Sequence, residues 1–112
     1  PDFVVYTGDY VSTHKGKVLY HVLDEVFGYL VKGKIATLGI LGNHDYGINW
    51  AEADVADQIA SKLSYNGVKV LRNEATEISG LHFIGFDDYW GLNFNPQKAM
   101  QHFDSSKANI VL

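Results

Sequence analysis

The chain has 112 residues, 46% of them hydrophobic and 13% aromatic, with a formal net charge of −4 and no cysteine. This composition builds one core-forming domain and excludes a disordered, collagen-like or coiled-coil chain. It also excludes a disulfide framework, thiolate metal ligation and a broad basic face for nucleic acid.

No run reaches the 18 or more apolar residues of a membrane span, and no signal-peptide pattern is present. The chain opens at Pro1 without an initiator Met and stops inside the strand-like "ANIVL". Both features lead us to expect a fragment of a longer protein.

"FVVYTGD" (Phe3 to Asp9) is β-branched and aromatic up to Gly8. Its continuous apolar character suits a strand covered on both faces. In "KVLYHVLDEVFGYLVK", Leu19, Val22, Leu23, Val26, Phe27 and Leu30 recur at three- and four-residue steps. That spacing predicts an amphipathic helix, weakened by Gly28 and ended near Gly33. "KIATLGILG" (Lys34 to Gly42) reads as a second buried strand. Strand, helix and strand in close succession form a βαβ unit, so the two strands are expected to run parallel.

"NWAEADVADQIASKLSYNG" predicts a second helix. Asn49 is its expected cap, with Glu52 reaching back to the cap backbone. Trp50, Ala53, Ala56, Ile59, Ala60 and Leu63 form its apolar stripe, and Asn66-Gly67 marks its exit. "VKVLRNEATEI", Ser79-Gly80 and "LHFIGFDD" read as a hairpin. Asn95 and Pro96 open a short helix in "NPQKAMQHF", and "NIVL" begins another strand. The pattern is mixed α/β without repeats or a domain linker.

Ligands of open α/β sheets meet the loops at the carboxyl ends of parallel strands. Two such loops carry polar clusters, Thr7-Gly8-Asp9-Tyr10 and Gly42-Asn43-His44-Asp45. Asp9, at a strand end after a glycine, either serves as a turn residue or offers its two oxygens to cations. Asn43 supplies a neutral oxygen suited to hard divalent ions. His44 follows immediately, and an imidazole there can protonate a leaving oxygen or bind a phosphoryl oxygen. The alternative is a turn in which Asn43, His44 and Asp45 bond local backbone.

"TGDY" followed by "LGNHDYG" resembles the calcineurin-like metallophosphoesterase superfamily, whose signature includes GD and GNH[DE] at successive strand ends. The resemblance implies a four-layer α/β/β/α sandwich, here incomplete at both ends, with residues 1–112 as the central part of a single domain. It implies hydrolysis of a phosphate monoester or diester by water activated at two divalent ions, with manganese, iron or zinc as candidates. By that analogy Asp9 is the bridging metal ligand, Asn43 ligates the second metal, and His44 is the catalytic histidine. The resemblance narrows to bacterial membrane-associated members acting on phospholipid-like substrates or nucleotide-sugar diphosphates. It offers no nucleic-acid partner.

The sequence also departs from that pattern. It contains no D-x-H, no Gly-His and no His-x-His, which the resemblance explains by a chain continuing on both sides. Where many members have GDxxD, the last position is Ser12, leaving Asp45 as a candidate to help orient His44. His21, on the first predicted helix, and His82, in a strand, are expected to be structural. His14 and His102 show no ligand spacing, although His14 follows the Asp9 loop closely enough to approach it. Tyr89 and Trp90, after Asp87-Asp88, either line a pocket rim or pack between layers. Two other readings stand beside the hydrolase: a non-catalytic binding or scaffold module with an incomplete metal site, and a small α/β domain with a chance motif.

Overall fold

The computed structural model describes residues 1–12 and 20–112. The fold is α/β, with two three-stranded sheets and three helices among the described residues. β1 (Phe3–Tyr6), β2 (Ala36–Gly39) and β3 (Lys69–Val70) form the first sheet, all parallel. β4 (Glu74–Ile78) and β5 (Leu81–Gly85) form an antiparallel pair, and β6 (Ala108–Val111) adds parallel to β5.

Period-two alternation divides the strand residues between two cores. Phe3, Val5, Ala36, Leu38 and Ile40 face the second sheet and pack with Leu71, Ile78, Leu81, Phe83 and Ile110. Leu41 and Val68 turn the other way, toward α1 (Tyr20–Gly28) and α2 (Ala53–Tyr65). Leu23 and Phe27 of α1 meet Val55, Ala56, Ile59 and Leu63 of α2 there. The two sheets thus face one another across one apolar layer, and helices cover the outer face of the first. α3 (Pro96–Met100) lies against β4 and β5. No described helix is long and apolar enough to cross a membrane.

Several boundaries differ from the sequence expectation. α1 ends at Gly28, five residues before Gly33, where the N–H groups of Tyr29 and Leu30 bond back to Val26 and Phe27. Leu23 and Phe27 are its buried residues, whereas Val22 and Val26 are exposed. The expected start of this helix, including Leu19, lies outside the described residues.

Asn49 does not cap α2. It sits at φ 55° in a 3-10 turn spanning Ile48–Trp50, and α2 begins after Glu52. The Glu52 side chain instead accepts the Ile48 N–H at 2.7 Å. Asn49 and Trp50 both take positive φ, which is neither the β-region backbone of a cap nor the backbone of a first helical turn. Trp50 therefore leaves the helical stripe and lies exposed.

The stretch from Val68 to Ile78 is not one strand. It contributes β3 to the first sheet, crosses at Leu71–Asn73, and enters the second as β4. Leu71 donates its N–H to the Gly39 carbonyl and buries its side chain between the sheets, while Asn73 takes φ 54° to redirect the chain. The β4–β5 turn does sit at Ser79-Gly80, both with positive φ, as a tight hairpin requires. Asn95 caps α3 through a 2.9 Å bond from the Lys98 N–H.

Candidate functional site

Because β1 and β2 are parallel and in register, with Tyr6 beside Gly39, the loops that follow them leave the same edge of the sheet. These loops touch. Gly8 takes φ 89°, and a Cβ on it would overlap the Gly42 backbone. A Cβ on Gly42 would in turn overlap the Asp9 carboxylate. Asp9 itself adopts φ 55°, a left-handed conformation uncommon outside glycine. Two glycines facing each other let the backbones approach closely enough for side chains of one loop to bond the other.

Asp45 uses that approach. It is fully buried, and its carboxylate accepts four backbone N–H groups. Oδ1 receives Tyr10 at 2.8 Å and Val11 at 3.3 Å, while Oδ2 receives Asp9 and Gly42, both at 2.9 Å. Four donors match the roughly four lone-pair sites of a carboxylate. Burial pushes the Asp45 carboxyl up to about 6, against the downward pull of those same N–H groups. Asp9 returns the contact, its Oδ1 accepting the His44 N–H at 3.1 Å at the start of a 3-10 turn over Asn43–Tyr46.

Asp9, Asn43 and His44 are therefore gathered at one sheet edge. Asp9 is exposed, and Asn43 and His44 are half-buried. Among the described residues, Asp9 Oδ2 and the Asn43 side-chain oxygen accept no hydrogen bond. Asp45 does not act on the His44 imidazole as the sequence suggested, because its oxygens are spent on backbone. Ser12 is exposed. His14 lies outside the described residues. His21 is exposed on α1, His82 is buried in β5 with Nδ1 at 2.8 Å from Asn109 Oδ1, and His102 is exposed after α3.

A second polar network backs the site. Tyr46, two residues after His44, donates its hydroxyl to Asp87 Oδ1 at 2.6 Å and accepts Arg72 Nη2 at 2.9 Å. Arg72 also bonds Asp87 Oδ2 at 3.0 Å and Asp57 at 2.6 Å. Burial, with help from Asp87, pushes the Tyr46 hydroxyl up to about 12. A cleft of about 440 Å³ opens beside this network, lined by Asp57, Arg72, Asn73, Asp87, Asn93 and Lys98 among others. It includes none of Asp9, Asn43 and His44. Most of its polar groups bond each other: Asn73 accepts the Asp87 and Asn95 N–H groups and donates to the Asn93 carbonyl.

Asp88 also lies within the electrostatic reach of Asp9. Burial raises its carboxyl, and the negative charges of Asp87 and Asp9 add to that rise. Nothing in the sequence singled out Asp88 or Arg72. The Asp45 clamp had one sequence signal, an acid in the third position of a turn that starts after Gly42.

The donors at this edge suit a hard divalent ion in kind but fall short in number. Asp9 and Asn43 supply two oxygens, and among the described residues no group of three or more His, Asp or Glu side chains gathers around one point. No protein-family model, no curated protein and no solved structure matches this chain.

Proposed function

We propose that this chain is the central part of a metal-dependent phosphoesterase of the calcineurin-like metallophosphoesterase kind, which hydrolyses a phosphate monoester or diester. One observation carries the reading. The Asp45 clamp holds the Asp9 and Asn43 loops together, and among the described residues each loop keeps a side-chain oxygen that accepts no hydrogen bond.

In this reading Asp9 and Asn43 hold part of a two-ion site for manganese, iron or zinc, completed by ligands from beyond residues 1–112. Such ions, when bound, acidify a water and neutralise charge on the phosphoryl group. The chain's own residues do the rest. Asp45 fixes the spacing of the two loops. Asp9 anchors the His44 backbone through its Oδ1, leaving its other oxygen for the ion. His44 binds a phosphoryl oxygen or protonates the leaving oxygen.

The two facing sheets, helices on the outer face of the first and α3 against the second support a four-layer sandwich of that kind. The substrate in this reading is a small phosphorylated molecule, phospholipid-like or a nucleotide-sugar. A second reading, a non-catalytic module with an incomplete metal site, draws on the finding that no three candidate ligands gather among the described residues.

A phosphatase assay on the natural full-length chain with added manganese separates the two. The enzyme reading expects manganese-dependent turnover that falls at least a hundredfold in His44→Ala, the lower range of general-acid contributions. Unchanged turnover in that variant removes His44 from the mechanism, and absence of turnover in the parent favours the module.

A further inference from the structure

The loop that carries Asp88 and the turn that follows His44 meet in a run of aromatic rings. Trp50 and Trp90 have ring centroids 5.9 Å apart, Trp90 and Tyr89 5.2 Å, and Tyr89 and Phe94 5.3 Å. The two middle members of the run are open to solvent, with Trp90 63% and Tyr89 68% exposed, and Ile48 and Leu92, two residues from Trp50 and Trp90 in sequence, are exposed as well. Large apolar groups left bare together mark a surface that something covers.

The chain bends to build this surface. Asn49 and Trp50 both take positive φ, a genuine outlier for a bulky residue such as Trp50. Trp90 is fixed by its N–H to Asp88 Oδ2 at 2.8 Å. Gly91 packs on the Tyr46 ring, close enough that a Cβ would stand 3.0 Å from it. The ledge is therefore attached to both the Asp9–His44 edge and the Asp88 loop.

Three features identify what covers it. No neighbouring rings of the run are parallel, since the angles are 48°, 82° and 71°, so there is no slot for a planar base. Ile48 and Leu92 add aliphatic surface. The segments His44–Glu52 and Phe86–Asn95 contain no Lys or Arg; Asp45 and Asp87 are buried, Asp87 paired with Arg72, and Glu52 and Asp88 are the acids nearer the surface, so the ledge offers a second phosphate no cation of its own.

We propose that Trp50, Trp90, Tyr89, Ile48 and Leu92 form a ledge that binds the hydrocarbon part of a phosphoester whose phosphate sits over Asp9, Asn43 and His44. This rests on the phosphoesterase reading and chooses the lipid-like substrate over the nucleotide-sugar. The ledge residues set specificity and take no part in the chemistry.

Trp50 and Trp90 are the only tryptophans within residues 1–112, so the part of the fluorescence change that Trp90→Ala removes reports on the ledge. The full-length protein with manganese is titrated with octyl phosphate, butyl phosphate, octan-1-ol and uridine monophosphate. Octyl phosphate is expected to shift the emission to the blue and to bind about tenfold more tightly than butyl phosphate, for four extra methylenes roughly half covered. Leu92→Ala and Trp90→Ala, both at exposed positions, are expected to weaken octyl phosphate several-fold and leave butyl phosphate unchanged.

Equal affinity for the octyl and butyl esters, with phosphate binding retained, overturns the ledge alone. Uridine monophosphate binding as tightly as octyl phosphate, with quenching in place of a blue shift, overturns it in favour of a base. Octan-1-ol binding as tightly as octyl phosphate removes the phosphate site, and with it both readings.

Discussion

The Asp45 carboxylate accepts the backbone N–H of Asp9 at 2.9 Å, across 36 positions of the chain. That bond, with its three companions, joins the ends of two parallel strands at the edge where the candidate ligands stand. A neutral amide cannot replace the carboxylate there. In Asp45→Asn an NH₂ group must point at two N–H donors, leaving buried donors unpaired at about 1–3 kcal/mol each. We expect the denaturation midpoint to fall accordingly, and the Asp9 and Gly42 amides to lose hydrogen-exchange protection before the rest of the sheet.

The same carboxylate gives a pH dependence of defined sign. Its folded-state value, about 6, lies above the ordinary carboxylate value of 3.8. The folded protein therefore holds the proton more tightly than the unfolded chain. Stability from this group is fully present below about pH 4 and is lost as pH rises toward 6, at up to roughly 1.4 kcal/mol per pH unit. Melting curves of the parent at pH 4.5 and 7 should differ more than those of Asp45→Asn, which has no proton to exchange. Bound cations at Asp9 would oppose the effect at higher pH, so the measurement is made without metal.

Gly8 and Gly42 are tested by adding one methyl group. Gly42→Ala forces the Asp9 carboxylate away from the turn, and Gly8→Ala forces apart the two backbones at a left-handed φ. Each is expected to cost about 2 kcal/mol or more, because a Cβ at Gly42 would also stand 2.7 Å from the Asp9 backbone nitrogen, and backbone cannot give way as a side-chain tip can. Gly28→Ala, with open space around its position, serves as the control and should leave the melting temperature unchanged or slightly raised.

Tyr46→Phe removes the hydroxyl between Asp87 and Arg72 while keeping the buried ring. Arg72 still bonds Asp87 through Nε, and the Asp88 N–H still reaches Asp87 Oδ1, so the loss is about 1–2 kcal/mol and not a collapse. A denaturant titration should show that shift in midpoint with an unchanged slope.

Much of this arrangement was legible in the sequence, and the failures have physical causes. The parallel β1–β2 pair, the Ser79-Gly80 turn and the Asn95 cap were readable because each depends on local signals: apolar runs, a Gly turn, an Asn-Pro step. The Asn49 cap failed because Asn49 and Trp50 take positive φ in a separate turn ahead of α2, where Glu52 bonds Ile48. The long strand over Val68–Ile78 failed because periodicity says nothing about which sheet a strand joins. Leu71 fits between both sheets and lets the chain change partner there. At the site, Asp9, Asn43 and His44 were visible as residue types at strand ends. Asp45 was visible as an acid in the turn after Gly42, but its bonds to Asp9, Tyr10 and Val11 and the Tyr46–Arg72–Asp87 network were not, because those partners are separated in sequence and meet only after folding.

The account stands on Asp9 and Asn43 offering oxygens to the same cation. Paramagnetic broadening by manganese, read residue by residue in an amide spectrum of residues 1–112, tests this without requiring turnover or tight binding. We expect Asp9, Asn43 and His44 to broaden together at the lowest manganese concentrations, and the effect to disappear in Asp9→Asn. Broadening that begins at Asp57 and Glu74 beside the polar cleft, with Asp9 and Asn43 unaffected, would contradict it.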